Sequence, residues 1–442
     1  MHEWLHMSAS ELGRGIAVGA IDPVALAQTF LDAIDSHPMR NRIYSRVTHD
    51  RAMAEANAAR IRAQNGQRLS LLDGVPLSWK DLFDSAGTVT QAGSALLDGR
   101  VPDRDAAVLN NATKLGAVCL GKTHMSELAF SGLGLNPVTA TPPCINDSEA
   151  VPGGSSSGAA ASVAFGLAAG GIGSDTGGSV RIPSAWNDLV GLKTTSGRVS
   201  LEGVVPLCLK FDTVGPLCRS VEDAAQLLAL VEGGAAADLR GVSLKGRRFA
   251  DLQTIAMDEL REQPAKAHEE ALSRLRDAGA EIVPLDVPEI KDAMALTGPL
   301  YTAEAYGLWR DVIEANPHLM FEEILQRFRA GGEYSGPDYV AAWARLEACR
   351  GAWDQAIAGF DAVVLPASPI MPPNLERLLN DHDYYVTENL LALRNTRIGN
   401  LMGLAALTLP TGTPSCGLMM MAPPNAEEAL LRLGAAAEAA LA

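Results

Sequence analysis

Apolar and polar positions alternate along this chain in two periods. After Asp22-Pro23 the run Val24-Ala25-Leu26-Ala27-Gln28-Thr29-Phe30-Leu31 predicts a capped helix with proline in its first turn, and Ala52 to Ala63 predicts a second. Both are expected to pack around a first strand, Gly74-Val75-Pro76-Leu77-Ser78-Trp79, which delivers Lys80 at its end. A helical stretch through Ala106-Ala107-Val108-Leu109 precedes a second short strand, Ala117-Val118-Cys119-Leu120, closed by Gly121. A long loop follows from Ser131 to Gly154, rich in Gly, Pro, Asn and Thr, and long loops inside compact domains are usually functional. Ala159 to Ala169 is small and apolar, suited to a buried helix, and Gly170 to Ser174 reads as a tight strand or turn. Further on, Glu222 to Val231, Ala265 to Ala278 and Ala341 to Ala358 are helical by period, and Asn425 to Ala440 reads as a closing helix. Glu281-Ile282-Val283-Pro284-Leu285 and Asp361-Ala362-Val363-Val364-Leu365 are strand-like.

The alternation runs to both ends with no Pro/Gly/Ser linker and no internal repeat, which predicts one large α/β unit over residues 1–442. Within it, residues 241–360 carry few chemical signals and are expected to form a mostly helical region that shapes substrate access.

Composition narrows the classes. With 442 residues, 47% of them hydrophobic, the chain can bury a large core. Its formal charge of −16, with no basic patch, argues against a nucleic-acid partner, because such binding is largely phosphate neutralisation. The six cysteines are scattered without CxxC spacing, which suits reduced thiols in a cytoplasm. Met1-His2-Glu3-Trp4-Leu5-His6 has neither a basic n-region nor an apolar h-region, and Glu11, Arg14, Asp22 and Asp32 interrupt any membrane span. A cytoplasmic protein without a membrane partner is the expectation.

The chemistry concentrates in two glycine-serine clusters, Gly153-Gly154-Ser155-Ser156-Ser157-Gly158 and Asp175-Thr176-Gly177-Gly178-Ser179-Val180-Arg181. Serines among glycines set hydroxyls beside bare backbone N–H groups, the combination that a nucleophile next to an oxyanion site requires. Ser179 precedes Val180-Arg181-Ile182-Pro183, a placement that suits a turn into a helix, and the N–H groups of Thr176, Gly177, Gly178 and Ser179 are expected to converge there. A serine hydroxyl needs a base, and none of the eight histidines falls in either cluster. Lysine is the other option, effective only when burial or positive potential makes it neutral. Lys80, after Val75, Leu77 and Trp79, sits in such an apolar run; its alternative is an ordinary strand-end lysine paired with Asp81 or Asp84.

These blocks resemble, in order, those of the amidase signature family: Gly74 to Asp81, Gly121-Lys122-Thr123, Pro152 to Gly158, Gly173 to Pro183 and Gly191-Leu192-Lys193. The likeness runs from about Glu11 through Val231 and returns near Asn400 to Leu404 and Leu409 to Gly412, leaving the middle variable. The resemblance implies a single α/β/α domain with a mixed central sheet flanked by helices. It implies Ser179 as nucleophile, Ser155 as a relay serine with a cis peptide bond, and Lys80 as base, with no metal or organic cofactor. The implied activity is hydrolysis of a non-peptide carboxamide through an acyl-serine, releasing ammonia or an amine, on a small-molecule substrate. Family members are often dimers, but no interface signal stands out in this chain.

Three departures from the family pattern stand out: His124 after Gly121-Lys122-Thr123, Ser157 where many relatives carry glycine, and Ala405 in place of a proline. None touches the three proposed catalytic groups. Asp175 and Arg181 bracket the nucleophile and are expected to brace the turn, while Arg394 and Arg397 are read as helix-surface arginines, with contact to an anionic substrate as the alternative. The substrate walls are expected from Ser131 to Val151, Leu296 to Tyr306 and Asp381 to Arg397, with Tyr301, Tyr306, Trp309, Tyr384 and Tyr385 as aromatic surface.

Three alternatives stay open. Gly154-Ser155-Ser156-Ser157-Gly158 also fits G-x-S-x-G, which would make Ser156 the nucleophile of an esterase served by His268, His318 or His382. Gly171-Ile172-Gly173 would open a nucleotide loop, although Thr176 stands where its last glycine belongs. The chain would also serve as the A subunit of a glutamyl-tRNA amidotransferase, supplying ammonia to partner subunits.

Overall fold

The computed structural model describes residues 2–442. Eleven strands form one sheet: β1 (Tyr44–Val47), β2 (Pro76–Lys80), β3 (Val118–Thr123), β4 (Gly170–Ser174), β5 (Val190–Lys193), β6 (Val214–Cys218), β7 (Arg248–Leu252), β8 (Glu281–Leu285), β9 (Ala362–Pro366), β10 (Ala405–Pro410) and β11 (Gly417–Ala422). Their order across the sheet is β1-β3-β2-β4-β6-β5-β10-β11-β9-β7-β8. The sheet is mixed. β3, β2 and β4 run parallel, as do β9, β7 and β8, and the strands between them pair antiparallel.

Parallel neighbours need a crossover, and helices Ala107–Lys114 and Ser157–Ala164 carry the chain from β2 to β3 and from β3 to β4. Every residue of β2, β3, β4, β9 and β11 is buried, which requires cover on both faces and explains why these strands read as continuous apolar or small-residue runs. The cover comes from helices such as Ser157–Ala164 on β4, Val221–Glu232 on β6 and Glu427–Leu441 on β10. Gly170 to Ser174, left between strand and turn by its composition, is a strand hydrogen-bonded on both sides.

Residues 241–360 divide in two. The first part supplies β7 and β8 to one end of the sheet, and helices from Glu289–Ala295 to Gly336–Ala356 form the rest. No helix among the described residues is long and apolar enough to cross a membrane.

The first predicted helix spans Pro23–Ser36, and the Asp22 carboxylate accepts the Val24 and Ala25 N–H groups at 2.9 Å each. Asp22→Ala removes both bonds and is expected to cost about 1 kcal/mol, read as a lower urea midpoint.

Candidate active site

β2 and β4 are parallel neighbours with Trp79 opposite Ile172, so Lys80 and Ser174 leave the sheet side by side. Lys80 Nζ donates to Ser174 Oγ and to Ser155 Oγ, both at 2.7 Å. It pairs with neither neighbouring carboxylate: Asp81 faces Lys122 at 3.2 Å and Asp84 faces Arg100 at 2.7 Å. Lys80 is 0% exposed. Burial pushes its ammonium down to about 7, against the opposing pull of Asp212 and Asp175. Burial also raises Asp212 to about 6, although the Thr176 hydroxyl donates to it at 2.6 Å and the Leu207 and Cys208 N–H groups do so as well.

The second partner of Lys80, Ser155, sits just before helix Ser157–Ala164. Its N–H donates to Ser179 Oγ at 2.9 Å. Ser155 therefore touches Lys80 through its hydroxyl and Ser179 through its amide, and the two serine hydroxyls are not hydrogen-bonded to each other. The expected cis bond is absent: all peptide bonds among the described residues, Gly154 to Ser155 included, are trans. Gly153 and Gly154 carry the turn with φ of +87° and +56°, a region glycine enters readily.

Ser179 lies in the turn between β4 and helix Arg181–Trp186. Of the four backbone donors expected to converge there, Gly178 N–H is already bound to Asp175 Oδ1 at 2.9 Å. The N–H groups of Thr176, Gly177 and Ser179 donate to no acceptor among the described residues. Asp175 also accepts Val180 N–H at 3.1 Å, Arg181 Nε at 3.0 Å and Nη2 at 2.9 Å, and Asn400 Nδ2 at 2.9 Å. Burial alone would raise this carboxyl, but Arg181 prevails and holds it well below the usual carboxylate range. The pair braces the turn, as its bracketing position suggested.

Ser179, Thr176 and Gly177 line a cavity of about 320 Å³. Its walls come from two of the three expected segments, through Thr297, Tyr301, Tyr385, Asn389 and Arg397 among others. The loop from Ser131 to Val151 contributes only Ser131. Trp309, Tyr306 and Tyr384 do not line it; Trp309 Nε1 donates to Pro206 O at 2.8 Å and Tyr306 Oη to Glu314 at 3.1 Å. Sequence reading missed helix Glu322–Arg329, which brings Glu323, Gln326 and Arg327 to the cavity. Of the two arginines at the end of the expected wall segment, Arg397 lines the cavity, whereas Arg394 turns away to Asn395 and Ala256 O. A further residue that sequence reading passed over is Glu127, which accepts the Ser94 hydroxyl at 2.7 Å and the Phe321 N–H at 2.9 Å. Burial pushes Glu127 up to about 7. It joins the strained backbone of Leu128 and Ala129, with φ of +45° and +61°, to the start of the cavity helix.

The remaining candidates resolve by position. Ser156 is fully buried, donating to Ser174 O at 3.0 Å and accepting Ser174 N–H at 3.1 Å, and it does not line the cavity. His268 faces Asp251 at 2.8 Å, and His382, at the cavity, faces Glu323 at 2.6 Å. Gly171-Ile172-Gly173 lies inside β4 and is no loop. His124 lies outside the cavity, and burial pushes it down to about 4, so it is neutral at pH 7. Ser157 begins its helix and Ala405 begins β10. No group of three or more His, Cys, Asp or Glu side chains arranged to hold a metal ion occurs among the described residues.

Comparison with known proteins identifies the family. The Amidase family model matches residues 25–431. The chain is 34% identical to the 2-amino-5-chloromuconic acid deaminase of Comamonas testosteroni, over 98% of this chain and 96% of that one. It is 32% identical to the glutamyl-tRNA(Gln) amidotransferase A subunit of Anaeromyxobacter sp. (strain K), over 99% and 96%. A solved amidase structure superposes with a TM-score of 0.88 at 30% identity, covering 99% of this chain and 100% of that one. The chain belongs to the amidase signature family. It is an amidohydrolase, acting on the carbon-nitrogen bond of amides.

The turn around Ser179 can be probed at two positions. Arg181→Leu strands a buried carboxylate and is expected to cost about 3–5 kcal/mol in urea unfolding, with Asp175→Leu in the same chain recovering part of the loss. A Cβ at Gly178, whose φ is +139°, would lie 2.1 Å from Thr396 Oγ1. Gly178→Ala is therefore expected to displace the turn and lower kcat more than it lowers the unfolding midpoint.

Proposed function

We propose that this amidohydrolase cleaves a small, non-peptide carboxamide through an acyl-Ser179 intermediate, with Lys80 as base and Ser155 as relay, in the cytoplasm. The observation that carries this reading is the fully buried Lys80, pushed down to about 7 and bonded at 2.7 Å to Ser155, whose amide meets Ser179 Oγ at 2.9 Å. Neutral Lys80 draws the proton of the Ser155 hydroxyl while Ser155 takes that of Ser179, whose Oγ attacks the amide carbonyl. The Ser155 hydroxyl rotates toward Ser179 for this step. The oxyanion is received by the uncommitted N–H groups of Thr176, Gly177 and Ser179, each worth roughly 3 kcal/mol in the transition state. Gly178 N–H serves instead to hold the turn through Asp175. The proton then passes to the leaving nitrogen, ammonia or an amine departs, and water attacks the acyl-serine with the same relay as base.

The similarity to amidotransferase A subunits favours a second reading, a glutamine-specific protein that hands ammonia to partners. Ammonia release by the isolated chain from amides other than glutamine supports the free-standing amidase; strict dependence on glutamine and copurifying subunits supports the other.

An ammonia-release screen over aliphatic, aryl, ureido and N-carbamoyl amides tests the reading, with Ser179→Ala as the blank. Ser179→Ala is expected to abolish release and Lys80→Met to lower kcat by at least about 10²–10⁴-fold. Hydrolysis confined to esters would sink the amidase assignment. Because only neutral Lys80 accepts a proton, kcat/KM is expected to climb with pH along an acid limb centred near 7. A flat profile between pH 5 and pH 8 (roughly one to two units either side of that midpoint) would remove Lys80 as the base.

A further inference from the structure

Two arginines share the cavity with Ser179: Arg327 from helix Glu322–Arg329 and Arg397 from helix His382–Leu401. Elsewhere among the described residues the buried or half-buried guanidinium groups each have at least one acceptor, Arg42 and Arg68 included, although Arg42 Nη2 and Arg68 Nε are themselves unpaired. Arg181 holds Asp175, Arg51 holds Glu55 and Asp105, and Arg219 donates to five backbone carbonyls, among them Val163 O and Leu5 O. Arg327 and Arg397 pair with no carboxylate among the described residues, and the charged group that bears most on Arg327 is Arg397 itself. Arg397 is only 7% exposed, and Arg327 Nη1 is buried without an acceptor. The one carboxylate among the lining residues, Glu323, is engaged by His382 at 2.6 Å.

A concentration of unmatched positive charge inside a chain of net charge −16 is not a by-product of composition. Burying such charge without a partner is unfavourable, and it persists where a ligand supplies the partner. The two groups are also held in a way that leaves their donors unspent. Arg327 stacks 4.5 Å from the Phe130 ring centroid, and Arg397 lies 5.8 Å from that of Tyr301. Aromatic faces orient a guanidinium plane while its N–H fork stays available for a planar two-oxygen anion. Burial and the neighbouring Arg397 lower Arg327 only to about 10, so it stays charged at neutral pH.

We propose that Arg327 and Arg397 form a carboxylate subsite, and that the substrate is a small amide bearing a carboxylate, bound there while its amide carbonyl lies at Ser179. The proposal rests on the amidase reading and names the substrate class within it. The cavity volume of about 320 Å³ fits a short-chain monoamide of a dicarboxylic acid better than a peptide or a long acyl chain.

Matched substrates test it: succinamate against succinamide, and glutaramate against glutaramide, which differ by one carboxylate. In the wild-type protein kcat/KM is expected to favour the acid by about 10- to 100-fold. Arg327→Gln and Arg397→Gln are expected to bring that ratio toward unity, with Arg397→Lys retaining part of it; a purely structural role would lower both substrates together and leave the ratio intact. Titrating succinate or inorganic phosphate into the Ser179→Ala protein decides the subsite even where no amide in this panel turns over. Succinate binding that Arg397→Gln removes supports it. Neutral diamides cleaved as well as the acids, no succinate binding, or phosphate bound in place of succinate overturns it, and turnover of the diamides would leave the amidase reading standing.

Discussion

Asp175 has no exposure to solvent, and its charge is tolerable there only because Arg181 lies against it and three further donors complete its shell. Much of the site depends on this one carboxylate. By accepting the N–H groups of Gly178 and Val180, it folds the chain on either side of Ser179 into one fixed turn. Arg181 carries the constraint further, donating to Thr396 O and Asn400 Oδ1 on helix His382–Leu401. That same helix carries Arg397. The turn at Ser179 and one wall of the cavity are thus held by a single buried ion pair.

Lys80 stands in the opposite electrostatic situation. Its nearest hydrogen-bond partners are two neutral hydroxyls, and Asp175 is already committed to Arg181. Desolvation therefore outweighs the attraction of Asp212 and Asp175, and the amine approaches neutrality. The Asp175–Arg181 pair thus fixes the turn at Ser179 while leaving Lys80 without a carboxylate in hydrogen-bond contact.

Glu127 is the corresponding link on the other side of the cavity. It ties the core loop of Ser94 to Phe321, where the helix that bears Arg327 begins. The variable region is therefore not an appendage: its helices reach the site through specific hydrogen bonds to the core loops that surround the serines.

Local pattern made a great deal of this legible. The helix after Asp22, the strand ending at Lys80, and the two glycine-serine clusters were readable because capping, alternation and glycine placement act over a few residues. The pairing of Asp175 with Arg181 was readable for the same reason, being six residues apart. What chain order left undetermined is whatever depends on distant segments meeting. It could not show how closely Gly153 and Gly154 approach Trp186, Ile182 and Pro183, since those contacts join segments about thirty residues apart. Nor could it separate Arg394 from Arg397: three residues apart on one helix, they point to different neighbours, and only the packed helices make one a surface contact and the other a buried, unmatched charge. The sequence by itself determined the amidase scaffold and its chemistry, because those reside in short contiguous blocks. The tertiary structure decided which side chains of the wall segments reach the cavity and which charges there stay unmatched, because the cavity is assembled from segments as far apart as Phe130, Arg327 and Arg397, and charge balance inside it is a property of the assembly.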